Sequence, residues 1–328
     1  ILEECIKLCR LYNNNYVTFD ELHKLITNDN YYLEKINYLR DKFIKNVFSE
    51  SQIYDLYSSL NFFEKEYLNL DQRTMSILKS EITRITNCFI SDYDVLNTFN
   101  PKQEELNFFG FEEVLKKGKI VVLNMNINEY SNLSKIIAAY LKLDFQTDVM
   151  TRLANSKDNN FRSVCFISDE YSEYCTETDC NFFSQSREAK CINIVATQSY
   201  TSLLNTLHDQ SAVNVIIQNL INKLWFRSDD IFTIENAQKQ IGKEDKEKIS
   251  RGISENAKET VYSYFTNSLN SKNSNISETI TTTLQNDFVY DTNFFTRHLT
   301  NFHCLSFLST GTEIIPPSEL KLFPYFNN

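Results

Sequence analysis

The chain has 328 residues, 42% of them hydrophobic, and a formal net charge of −10. That is enough apolar surface for one large core or two smaller ones, which excludes a disordered chain. The acidic balance makes the surface as a whole repel phosphate, which excludes a simple DNA-coating protein and confines any nucleic-acid contact to a loop or a channel lining.

From Ile1 to about Asn100 apolar residues recur at spacings of three and four: Leu22, Leu25 and Ile26, then Leu39, Phe43, Ile44 and Val47, then Leu56, Leu60 and Phe63. This spacing predicts helices. Thr18 with Glu21 three residues later has the form of a capping box opening a helix toward Ile26. Helical spacing continues from Leu68 to Phe89, and Pro101 marks a break where we place a domain boundary.

Beyond Pro101 short apolar runs alternate with helical stretches, the pattern of a mostly parallel sheet covered on both faces. Lys119–Asn124 is the first expected strand, followed by a helix from about Glu129 to Leu153 with Leu133, Ile136, Ile137, Tyr140 and Leu141 on one face. Ser163–Ser168 and Cys191–Ala196 are the second and third strands; a helix over Ala212–Asn222 leads to a fourth at Lys223–Arg227. After Ser228 the signal weakens. A helix is expected over Ile231–Ile241, a solvated charge run over Lys243–Lys248, and a poorly ordered hairpin loop over the Ser/Thr/Asn-rich Ser268–Thr283. Phe302–Leu308 predicts one more strand, and Pro316-Pro317 closes the structured part.

Only 5 Gly and 4 Pro are present, so turns must lean on Asn, Asp and Ser. The 8 cysteines show no CxxC spacing, and several lie in apolar runs as small hydrophobes, which fits a reducing compartment. Cys175 and Cys180 lack a second pair at a zinc-finger distance, so idle or buried thiols are expected. No run of about 18 apolar residues is present to cross a bilayer. The chain starts at Ile1 with no signal-peptide pattern, and reads as a piece of something longer.

Chemistry concentrates at three places. Asp169-Glu170 follows a buried apolar strand, and ligands of open α/β sheets bind at that carboxyl edge. In a P-loop ATPase the first acid there orients Mg²⁺ through its waters and the second polarises the attacking water; an acidic turn that merely caps a helix has the same sequence. The next strand runs into Ala196-Thr197-Gln198, where a carboxamide can hydrogen-bond a γ-phosphate oxygen and the lytic water, or be an ordinary polar strand end. Arg187 lies between them at the end of a helix, fit to grip phosphate oxygens across a subunit edge or to make a surface ion pair.

Taken together, strand-Asp169-Glu170, a helix ending in Arg187, and strand-Ala196-Thr197-Gln198 resemble the second half of a RecA-like motor, in particular the TraG/TraD-type coupling proteins of conjugative DNA transfer. Gly118–Asn126 with its following helix, and Ile217–Phe226, are similar to the segments these proteins place before the acidic pair and at the completion of their sheet. The resemblance implies an α/β fold, a RecA-like P-loop NTPase core with an inserted all-helical domain. It divides the chain into 1–16 as a helix of the core, 17–100 as the inserted domain and 101–328 as the rest of the core. It implies ATP and Mg²⁺ as cofactors, with Glu170, Arg187 and Gln198 catalytic, Asp169 and Gln198 nucleotide-binding, and Asp169 facing the metal through water. It also implies a homo-hexamer at the cytoplasmic face of the bacterial inner membrane, pumping single-stranded DNA with bound relaxase into a type IV secretion channel. The helical domain would recognise the relaxase complex.

One departure matters. No GxxxxGK[ST] pattern occurs in the 328 residues; Lys117-Gly118-Lys119 and Ile241-Gly242-Lys243 lack both the Gly-rich loop and the hydroxyl residue. In the family that loop, and membrane-spanning helices before it, precede the helical domain, so the chain is expected to be inactive alone. Other readings stay open: an FtsK/HerA-like or secretion-channel ATPase, and a truncated, non-catalytic remnant acting as a substrate-binding module.

Overall fold

The computed structural model describes residues 1–28, 30–45, 48–125, 129–155, 162–256, 261–263, 268–270 and 275–324. Contacts divide the chain into two compact units, Ile1–Asn155 and Ser156–Asn328.

The first unit is helical: α1 (Leu2–Tyr12), α2 (Phe19–Thr27), α3 (Tyr31–Ile44), α4 (Glu50–Asn61), α5 (Gln72–Asn87), α6 (Tyr93–Phe99), α7 (Phe111–Lys117) and α8 (Ser131–Asn155). The three-and-four spacing builds its main core, in which Leu8, Leu22, Leu25, Ile26, Ile36, Leu39, Leu56 and Phe63 are buried together. Val47, grouped with them by its spacing, lies outside the described residues. A second cluster joins Phe89, Val95, Leu133 and Ile137, so the start of α8 packs with the ends of α5 and α6. Tyr140, expected on the same face of α8, is exposed.

Thr18 caps α2 by accepting from the Glu21 amide, but the reciprocal half of the capping box is missing. The Glu21 carboxylate instead accepts from Asn13 Nδ2 at 2.6 Å and pairs with Lys35. Lys35 is buried and its ammonium lies over the Tyr12 ring, so α1, α2 and α3 share one buried charge pair. The complete capping box is at Ser49 and Gln52, opening α4.

Lys119–Asn124 is not a strand. Ile120 to Leu123 are exposed, and no described segment pairs with them. A run of β-branched residues makes a strand only where a ladder satisfies its backbone groups.

The second unit opens with β1 (Val164–Ser168), a 3₁₀ turn (Tyr171–Glu173), α9 (Thr178–Gln185) and β2 (Cys191–Val195). It continues with α10 (Tyr200–Leu207), α11 (Gln210–Asn219), β3 (Lys223–Trp225) and α12 (Ile231–Ile241). β1 and β2 pair in parallel, Val164 opposite Cys191 through Ser168 opposite Val195. The expected four-stranded parallel sheet is not what forms. Among the described residues the parallel sheet has two strands, and β3 pairs antiparallel with β8 (His303–Ser309), which carries β9 (Ile314–Lys321) on its other side. The face of the parallel pair bearing Cys165, Ile167, Ile192 and Ile194 is exposed.

Two further expectations after Ser228 are corrected. Ser268–Thr283, expected as a loop, is strand where it is described: β6 (Ser268–Asn270), paired with β5 (Val261–Ser263), and β7 (Asn275–Phe288), paired with β4 (Lys243–Asn256), whose opening residues Lys243–Lys248 are the charge run and are exposed apart from half-buried Lys246. The stretch from Thr279 to Thr283 holds four threonines around Ile280, and β-branching favours the extended chain over a loop despite the polar composition. Pro316-Pro317 lies inside β9 rather than ending the structure. β9 is the edge of its sheet, and its register with β8 shifts between Ser306 and Leu308, so the missing amides fall where no ladder bond is required.

Candidate functional site

The parallel pair brings two of the expected residues together at its carboxyl edge. The ladder extends past the strands: Ala196 N–H donates to the Ser168 carbonyl and Tyr171 N–H to the Ala196 carbonyl, both at 2.8 Å. Between these bonds the chain reverses at Glu170, whose backbone is left-handed at φ 47°. For a side chain with a Cβ this costs about 1 kcal/mol or more, so the surroundings must hold it.

They do so with tyrosines. Tyr174 donates its hydroxyl to the Asp169 carbonyl at 2.7 Å. Tyr171 is fully buried and donates to Asp179 Oδ2 at 2.6 Å, an oxygen that also accepts from the Thr176 amide at 3.0 Å. Burial, reinforced by the Asp179 charge, pushes the Tyr171 hydroxyl far above its ordinary pKa, so it remains a donor. These three side chains escape motif reading. Their only sequence signal is polar or aromatic residues at short offsets from the acidic pair, a common pattern.

Held this way, Glu170 accepts from Gln198 Nε2 at 3.3 and 3.4 Å to its two oxygens. Asp169 is exposed beside it, its Oδ1 accepting from the Glu170 amide at 2.9 Å. Gln198 precedes Ser199, which caps α10 by accepting from the Ser202 amide. The start of α10 is fixed to α12 by Thr201 donating to Asp230 at 2.5 Å and by the Tyr200 amide donating to Thr233. The edge thus presents two acids and one carboxamide on braced backbone.

Arg187 is not with them. It sits exposed in the turn after α9, ahead of β2, and the adjoining Lys190 carbonyl accepts from the Val164 amide at the start of β1. That is the amino edge of the pair, a five-residue strand away from Glu170, or roughly 17 Å.

No group of three His, Cys, Asp or Glu side chains among the described residues is arranged to hold a metal ion. Cys175 and Cys180 are thiols, and Sγ of Cys175 donates to the Ser172 carbonyl. Two acids with no third ligand could hold a Mg²⁺ only through its waters, and Gly110, Gly118, Gly242, Gly252 and Gly311 all lie in other segments of the sequence than the acids. No described helix is long and apolar enough to cross a membrane.

No family model and no curated protein matches the sequence. Among solved structures the chain is similar to the bacterial conjugative coupling protein TrwBdeltaN70 in an unbound form, with a TM-score of 0.59 and 12% identity. The match covers 98% of this chain and 61% of that one, so the chain spans under two thirds of the coupling protein's structure. At this identity the likeness is one of fold, a mixed helical and sheet architecture shared along nearly the whole chain.

Proposed function

We propose that this chain is part of a RecA-like ATPase of the TraG/TraD type, whose whole protein pumps single-stranded DNA with bound relaxase into a type IV secretion channel. The observation that supports this is the contact of Glu170 with Gln198 at the carboxyl edge of a parallel strand pair, within a fold similar to a conjugative coupling protein. In this reading Asp169 orients Mg²⁺ through water, Glu170 polarises the water that attacks ATP, and Gln198 contacts the γ-phosphate. Gln198 releases Glu170 when nucleotide arrives, so the observed pairing is the resting arrangement. Arg187, at the far edge, serves a nucleotide held by a neighbouring subunit of a homo-hexamer at the cytoplasmic face of the membrane. Residues 17–100 form the module that recognises the relaxase complex, and 101–328 belong to the motor core.

A second reading has its own support, the lack of a GxxxxGK[ST] loop in the 328 residues. There the chain is a remnant that binds the DNA-processing complex without catalysis. Transfer frequency of the genetic element that encodes the chain separates the two. The motor reading expects Gln198→Ala to lower transfer by about 100-fold, the scale of a lost transition-state donor. Unchanged transfer overturns it.

A further inference from the structure

α10 begins two residues after Gln198, and the loop from β3 to α12 is tied to that beginning at both of its ends. At one end Trp225 Nε1 donates to the Tyr200 hydroxyl at 3.2 Å. At the other, Thr201 donates to Asp230 Oδ1 at 2.5 Å and the Tyr200 amide donates to Thr233 Oγ1 at 2.9 Å. Between them the Ser228 amide donates to the Phe295 carbonyl at 3.2 Å, which holds the loop from a third side. Arg227 sits in this loop, three residues before Asp230. Three residues of chain reach about 10 Å at most, so Arg227 stays close to the start of α10 and to the strand edge that carries Gln198 and Glu170.

Arg227 is exposed, and its side chain makes no hydrogen bond or ion pair with a described residue. The nearby acids leave it so. Asp230 is occupied by Thr201 and Thr233, and Asp229 does not pair with it. A guanidinium is always charged and offers five N–H donors, so one on a braced loop is open to an anion. The site itself needs that charge. Asp169 and Glu170 are acidic and Gln198 is neutral, so these three supply no fixed cation for a phosphate.

We propose that Arg227 is the cation of this edge: when Mg-ATP lies against Glu170 and Gln198, Arg227 of the same subunit donates to oxygens of its terminal phosphates. The proposal rests on the motor reading given above. The planar fork of arginine matches two phosphate oxygens at once, which an ammonium does not. Arg227 and Arg187 then divide the work. Arg187, at the amino edge, serves a neighbour's nucleotide, and Arg227 serves its own. One arginine does not replace the amides of a Gly-rich loop, so Arg227 adds to a hold built elsewhere.

Binding of a non-hydrolysable Mg-ATP analogue to the whole protein tests this. Arg227→Ala should weaken binding about tenfold or more, the scale of a charge-assisted hydrogen bond, and Arg227→Lys should recover only part of it. Lys239→Ala removes the same charge from the exposed far end of α12 and should change nothing. Mixing Arg227→Ala subunits with Glu170→Gln subunits should restore no turnover, because every site then carries one defect or the other. Unchanged affinity in Arg227→Ala, an equal loss in Lys239→Ala, full recovery in Arg227→Lys, or restored turnover in the mixture overturns the inference while the motor reading stands. A wild-type whole protein that binds no analogue overturns both.

Discussion

The Gln198 carboxamide donates to both oxygens of Glu170, at 3.3 and 3.4 Å, joining the ends of two parallel strands whose acid and amide are 28 residues apart. Both distances are long for a charge-assisted bond, so the pair is a contact that ligand can break rather than a closed structural bridge.

If Glu170 polarises the attacking water, its charge matters more than its shape. In the whole protein Glu170→Gln should keep nucleotide binding and lower turnover by about two orders of magnitude or more. Turnover near wild type would leave Glu170 as the acid of a tight turn.

Arg187 lies at the amino edge of the strands, too far from Glu170 to serve the same nucleotide. It is therefore expected to act in trans, where such arginines contribute on the order of a thousandfold. Mixing Arg187→Ala subunits with Glu170→Gln subunits should restore part of the activity, because some interfaces regain both groups. Loss in proportion to the mixture, with no recovery, argues against it.

The sequence carries the strand ends better than it carries the sheet. The placing of Asp169, Glu170 and Gln198 at one edge was legible because an apolar run ending in polar residues marks a strand end whatever its neighbours are. Pairing is a different matter, since it depends on the other strand. Lys119–Asn124 has the pattern of a strand and no ladder, while the polar Ser268–Thr283 becomes strand because β4 lies alongside it. The tyrosine brace was illegible for a similar reason. Tyr171 and Asp179 meet only once the 3₁₀ turn and α9 have formed between them.

That brace can be tested by stability. Tyr171→Phe keeps the ring in its buried place and removes the donor to Asp179, a hydrogen bond to a buried carboxylate worth about 1.5–3 kcal/mol. The urea midpoint of the second unit should fall accordingly. An unchanged midpoint would mean that the other partners of Asp179, the Thr176 amide among them, satisfy it without the tyrosine.

Lys223, buried at the start of β3, offers a pH test. Burial pushes its ammonium down to about 8, while an unfolded lysine titrates near 10.4. Between these values the unfolded chain binds more protons than the folded one, so this residue makes stability rise with pH from about 8 toward 10. Above about 10 the buried Tyr171 and the half-buried Tyr200, both raised by desolvation, act in the opposite sense as unfolded tyrosines ionise. Lys223→Met should therefore flatten the rise between pH 8 and 10 relative to wild type in urea titrations. Parallel curves would show that Lys223 stays protonated in the folded chain.

Residues 1–328 as they stand should not hydrolyse ATP. The two acids and Gln198 act on a triphosphate that something else must hold, and most of that hold in P-loop enzymes comes from backbone amides of a Gly-rich loop and its lysine. The chain's 5 glycines form no such loop, and with a formal net charge of −10 the surface does not attract the nucleotide from a distance. Asp169 and Glu170, with no ion-pair partner among the described residues, would themselves repel a triphosphate unless Mg²⁺ came with it. Calorimetric titration with Mg-ATP should accordingly show no binding in the micromolar range, and phosphate release should stay at background. Micromolar binding with steady release would mean that another segment of this chain cradles the phosphates in place of the loop.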